Sequence, residues 1–152
     1  MTTLVVDELT TTLTQTVNFN KYYRIHHIGG IKIKILMYNA PAGTFTLSIK
    51  SGATTLASKD FTSTEIKADL STSDNYAYLY KEIVFSELVA LKNGSYDLVL
   101  SSSGYSYSSG SFLGWIKSHE SIFNELEDAF VDYATNPLDV LIYENMREDL
   151  WG

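Results

Sequence analysis

Residues 44–61 read TFTLSIKSGATTLASKDF, and their alternation decides the class of fold. Phe45, Leu47 and Ile49 interleave with Thr44, Thr46, Ser48 and Lys50. A period of two puts the apolar set on one face of a strand and the polar set on the other, as in a sheet with one face in a core and one in water. Ser51-Gly52 is turn chemistry, and TTLASKDF reads as a returning strand, so the stretch is predicted to be a β-hairpin.

Working outward, AlaProAlaGly at 40–43 is a turn, and before it YYRIHHIGGIKIKILMY places Ile31, Ile33, Ile35 and Met37 on one face and Lys32 and Lys34 on the other. This is predicted to be a central strand. Gly29-Gly30 marks either a bulge within it or the tip of a hairpin that divides it. Further upstream, Leu4 to Val6 begin one short strand, and TTTLTQTVNF forms another with Leu13, Val17 and Phe19 together. The threonines there read as an ordinary half-exposed strand in preference to an edge that pairs with a neighbouring subunit.

Downstream, residues 62–75 are polar, with room for one helical turn at Glu65 to Ala68, and read mainly as a connection between sheets. In YAYLYKEIVF, Leu79, Ile83 and Phe85 oppose Tyr76, Tyr78 and Tyr80; two rich faces imply an inner strand. Asn93-Gly94 is a hairpin or tight-turn signal, followed by a strand carrying Tyr96, Leu98 and Leu100 on one face. SSSGYSYSSGS is predicted to be an exposed loop. It leads into SFLGWIKSHE, a late strand that buries Trp115 or Phe112 and closes against the Asn-Pro-Leu strand near the end of the chain. Ile122, Leu126, Ala129, Phe130 and Tyr133 recur at helical spacing, which predicts a short helix over 121–133, and Leu138, Val140 and Ile142 form a final strand.

About eight to ten short strands with regular turn signals and at most one helix make an all-β sandwich, with a jelly roll first and an immunoglobulin-like sandwich second. The chain divides into a single β-sandwich domain over 1–144 and a C-terminal tail over 145–152. Net charge -7 with no Lys/Arg cluster argues against nucleic acid. No basic start with an apolar run marks a signal peptide, and no stretch is long enough for a membrane-spanning helix, so the expectation is synthesis in a cytoplasm without a membrane partner. With no cysteine, disulfides and thiolate chemistry are excluded.

Candidate chemistry is sparse. His26 and His27 are neighbours on a strand and point to opposite faces, so they do not make a shared metal site. His119-Glu120 has the right residue types for acid–base work, but adjacency separates the side chains and no nucleophile motif accompanies them. No catalytic, cofactor or metal residues are assigned; Asp7-Glu8, Asp60, Asp69, Asp74 and Glu82 show no EF-hand-like calcium spacing. Tyr105 and Tyr107, among Ser and Gly, have the composition of a binding loop, and with Trp115 they are candidate contacts for a glycan or partner. Met146, Leu150 and Trp151 in the tail, and the first strand, are candidate subunit contacts, because an apolar end on an acidic tail has no evident core to join.

Four stretches taken together, TFTLSIKSGATTLASKDFT, LKNGSYDLVLSSSGY, GWIKSHE and TNPLDVLIYE, resemble β-sandwich modules of tailed-bacteriophage virion proteins, including tail-fibre and head-surface proteins. The resemblance spans residues 44–144. It implies a non-enzymatic virion protein, either a capsid decoration protein or a tail or fibre component, that assembles in the host cytoplasm. Its implied partners are other capsid or tail proteins and further copies of itself, with no cofactor. The competing expectation is a stand-alone carbohydrate-binding module that recognises host surface glycans through Tyr105, Tyr107 and Trp115. An enzyme ranks third, since the chain lacks the repeats of a polysaccharide-cleaving solenoid.

Overall fold

The computed structural model describes residues 5–19, 26–92, 94–117, 131–133 and 140–144, which hold ten strands and one helix. In chain order these are β1 Val5–Glu8, β2 Leu13–Phe19, β3 His26–Tyr38, β4 Thr44–Ser51, β5 Thr54–Phe61, α1 Ser63–Asp69, β6 Ala77–Leu91, β7 Gly94–Ser103, β8 Phe112–Lys117, β9 Val131–Tyr133 and β10 Val140–Glu144.

Four antiparallel pairs nest inside one another: β4 with β5, β3 with β6, β2 with β7 and β1 with β8. The chain is therefore one long hairpin whose tip is the β4–β5 turn read from residues 44–61. Rolled so that β3 meets β8 and β4 meets β7, it forms two five-stranded sheets built on the orders β1-β8-β3-β6 and β5-β4-β7-β2. That is the double Greek key of a jelly roll. β9 adds to β2 in the second sheet, and β10 pairs with β3 in the first.

Because β6 follows nearly the whole of one side of β3, β8 and β10 share the other side end to end, at Ile35–Tyr38 and at 28–33 respectively. The late GWIK strand thus closes against β1 and β3, and the Asn-Pro-Leu strand is its neighbour along β3 instead of its ladder partner. The helix expected over 121–133 fails where it is described: Val131–Tyr133 is a strand on β2, and 121–130 lie outside the described residues.

The inner faces follow the alternation. Ile31, Ile33, Ile35 and Met37 of β3 and Trp115 and Leu113 of β8 meet Phe45, Leu47 and Ile49 of β4 and Leu98 and Leu100 of β7, all buried. Burial of each such side chain contributes roughly 1.5–3 kcal/mol. Against β10, the two steps of β3 from Ile28 to Gly30 face the single step from Tyr143 to Glu144, so the glycine pair is a bulge and β3 is not divided.

Between β5 and β6 the chain makes two turns of helix where one was expected. Thr62 caps α1 by accepting the Glu65 N–H at 3.2 Å, the Ser63 hydroxyl donates to the Pro41 carbonyl at 2.7 Å, and Ile66 is fully buried. β6 and β7 belong to different sheets, so they form no in-plane hairpin with each other; Asn93 lies outside the described residues.

The β3–β4 and β7–β8 connections touch backbone to backbone. Gly43 has φ +105°, and a Cβ there would lie 2.8 Å from the backbone of Ser103 and Gly104. Only glycine fits both the angle and the gap.

Candidate functional site

β6 was expected to be an inner strand; it is an edge, paired with β3 alone among the described residues. Its outer face also stands in solvent, and the tyrosines that made both faces look buried are exposed: Tyr76, Tyr78 and Tyr80 are 54%, 52% and 36% accessible. Lys34 lies between the last two, its Nζ 5.3 Å from the Tyr78 ring centre and 5.5 Å from that of Tyr80.

The aromatic surface continues across the sheet. The Tyr76 ring meets Tyr38 edge-on at 5.0 Å, Tyr38 stacks on Phe112 at 5.1 Å, and Phe112 leans on Tyr107 at 5.9 Å. Register produces this row, since Tyr38 faces Phe112 across one ladder, and Leu36 and Lys34 face Tyr78 and Tyr80 across the other. Gly114 leaves the gap in the same face that Val6 of β1 fills: a Cβ at 114 would lie 2.3 Å from Val6 Cγ1.

Of the three residues expected to contact a glycan or partner, only Tyr107 is on the surface. Its hydroxyl donates to Glu8 Oε1, and that hydrogen bond, the largest cause, raises its pKa above the ordinary tyrosine value. Tyr105 is half-buried. Its hydroxyl donates to the Leu9 carbonyl at 2.7 Å and accepts the Leu113 N–H at 3.3 Å, while its ring packs edge-on against Phe45 at 5.3 Å. Burial is the main reason its pKa is raised. Trp115 has no exposed surface and forms part of the core. Its parity with Ile35, directly across the ladder, turns it inward, so Trp115 is a core residue and no surface contact, while Tyr105 keeps part of its surface exposed.

The side chains of His26 and His27, and all of His119, Glu120, Met146, Leu150 and Trp151, lie outside the described residues. Among the described residues no three of His, Asp and Glu gather as a metal set. Asp60, on β5, accepts from Thr46 at 2.7 Å, and Asp69, at the end of α1, accepts from Lys81 at 2.6 Å.

Two depressions flank β6. One, of about 350 Å³, lies between the edges of β5 and β6 and is lined by Leu56, Ala57, Phe85, Leu88 and Val89 among others. It exists because two residue steps of β3, Ile28 to Gly30, face five of β6, Val84 to Val89, so β6 bulges there. The other, of about 510 Å³, lies where the end of α1 meets β6 and is lined by Asp69, Leu70, Leu79, Tyr80, Lys81, Glu82 and Val84. Lys81 points to the core side of β6 and is 8% exposed, held by Asp69. An inward charge of this kind also protects an edge strand from indiscriminate pairing.

No family model, curated protein or solved structure matches the chain.

Proposed function

We propose that this chain is a non-enzymatic structural protein of a bacteriophage virion, a capsid decoration protein or a tail or fibre component, which acts on the particle surface through protein–protein contacts. The observation that carries the reading is the open side of the jelly roll, where β5 and β6 are both edge strands among the described residues and leave Leu56 and Leu88 exposed, at 39% and 40%, beside the groove between them, which Ser58, Ser86 and Glu87 also line. Unpaired strand edges with apolar side chains are surfaces that another chain can extend or cover. The resemblance of residues 44–144 to virion β-sandwich modules supplies the class of partner, other capsid or tail proteins and further copies of the chain.

The test is co-sedimentation of the purified chain with virions of the replicon that encodes it. The wild type pellets with the particles, whereas the Leu56→Lys/Leu88→Lys double variant, folded by circular dichroism, stays in the supernatant. Equal pelleting of both, or of neither, overturns the assignment of this edge.

A further inference from the structure

We propose that the depression between the end of α1 and β6 is a binding site for a neutral saccharide, with Tyr80 as its stacking wall. The site is independent of the β5–β6 groove and needs no virion partner.

Its shape and chemistry both point to this ligand class. At about 510 Å³ it has the size of a small-molecule pocket, large enough for one or two sugar rings. Tyr80 supplies an aromatic face, and Leu70 and Val84, 42% and 45% exposed, supply apolar walls for the C–H side of a pyranose. Lys81 and Asp69 are locked together at 2.6 Å, and Glu82 is met by Lys32 at 3.9 Å. The Lys81 ammonium holds the half-exposed Asp69 carboxylate in place as an acceptor, the half-exposed Glu82 carboxylate offers a second, and sugar hydroxyl groups can donate to both.

Charge selects against other ligands. The two exposed charges lining the pocket, Asp69 and Glu82, are both carboxylates, which repel an anionic ligand, and each already faces a lysine, at 2.6 Å and 3.9 Å respectively, which weakens its pull on a cation. A hydroxyl-rich neutral ligand donates to both carboxylates without either penalty. Tyr78 extends the platform beyond the pocket, on the far side of Lys34 from Tyr80, so that a chain of several sugars can continue across the face of the sheet.

Calorimetric titration of the full chain with maltohexaose, cellohexaose, mannohexaose and a galactan-derived hexasaccharide, with an oligogalacturonate as the acidic comparison, tests the proposal. At least one neutral oligomer binds and the acidic one does not. Tyr80→Ala weakens that binding about tenfold or more, Tyr80→Phe retains it, and Tyr76→Ala, outside the pocket, leaves it unchanged. Failure of all four neutral oligomers, binding of the acidic oligomer alone, or affinity indifferent to Tyr80→Ala overturns the site. None of these outcomes bears on the particle contacts at Leu56 and Leu88.

Discussion

Three glycines separate backbone angle from steric contact, and the seam of the jelly roll can be weighed by replacing each with alanine. At Gly52, φ is +61° and nothing lies within 4 Å of a Cβ. Gly52→Ala bears only the cost of a left-handed residue, about 1–2 kcal/mol, less the few tenths to 1 kcal/mol returned by a stiffer unfolded chain. Gly104, at φ +69°, adds an ordinary 3.8 Å contact with Gly43 Cα, so its alanine variant falls in the same range. Gly43 is different in both respects. Its φ of +105° lies beyond the left-handed region open to alanine, and the new methyl meets three backbone atoms at 2.8 Å. Ser103 is held by its pairing with Thr44 and Gly104 is the next residue, so these backbone atoms cannot turn aside as a side chain would; the two connections must separate, and the cost is about 3 kcal/mol or more. For a chain of this size that lowers Tm by roughly 6–12 °C, against a few degrees for Gly52→Ala. Thermal unfolding followed by circular dichroism reads the difference. If Gly43→Ala is as mild as Gly52→Ala, the close approach of the β3–β4 and β7–β8 connections is wrong.

Trp115→Ala empties a fully buried site and costs about 3–5 kcal/mol in urea unfolding, while Tyr107→Ala on the surface costs under about 1 kcal/mol; the reverse order would return Trp115 to the surface. Asp69→Ala leaves the Lys81 ammonium without its carboxylate and destabilises by about 1–2 kcal/mol, reduced by Asp69's own exposure, whereas Lys81→Met is close to neutral; a larger loss from Lys81→Met would contradict the pairing. The raised pKa of Tyr105 means that the folded protein holds its proton after the unfolded chain has released it. The resulting stabilisation is complete below about pH 10 and is lost as pH rises through that value toward the raised one. Urea midpoints on either side of pH 10 therefore fall more steeply for the wild type than for Tyr105→Phe, and parallel slopes would refute this.

How far the sequence could be read depends on which direction a residue reports. Alternation reports in and out: Ile31, Ile33, Ile35, Met37, Phe45, Leu47 and Ile49 face the core as their pattern predicts, while Ser48, expected in water, is buried as well. It is silent on lateral neighbours, so Tyr76, Tyr78 and Tyr80 suggested a strand buried on both faces when they mark an edge strand with an aromatic outer face. Lys81 shows the same limit. Its parity with Leu79 and Ile83 placed it inward, but nothing in YKE indicated that Asp69, from a helix twelve residues back, would meet it. Tyr105 and Tyr107 share composition and spacing, yet one is fixed by Leu9 and Leu113 and the other faces water. That division arises from contacts nearly a hundred residues apart in the chain, which local patterns do not carry. The order of the sheets follows from nested pairing about one hairpin tip, and residues 44–61 displayed that tip openly.

The central claim is a place on a virion, and the most direct measurement is quantitative mass spectrometry of gradient-purified particles from the replicon that encodes the chain. Peptides of this chain are expected in fixed stoichiometry to the capsid or tail proteins, co-banding with intact particles. Its confinement to the soluble lysate, with none in the particle band, would contradict the account.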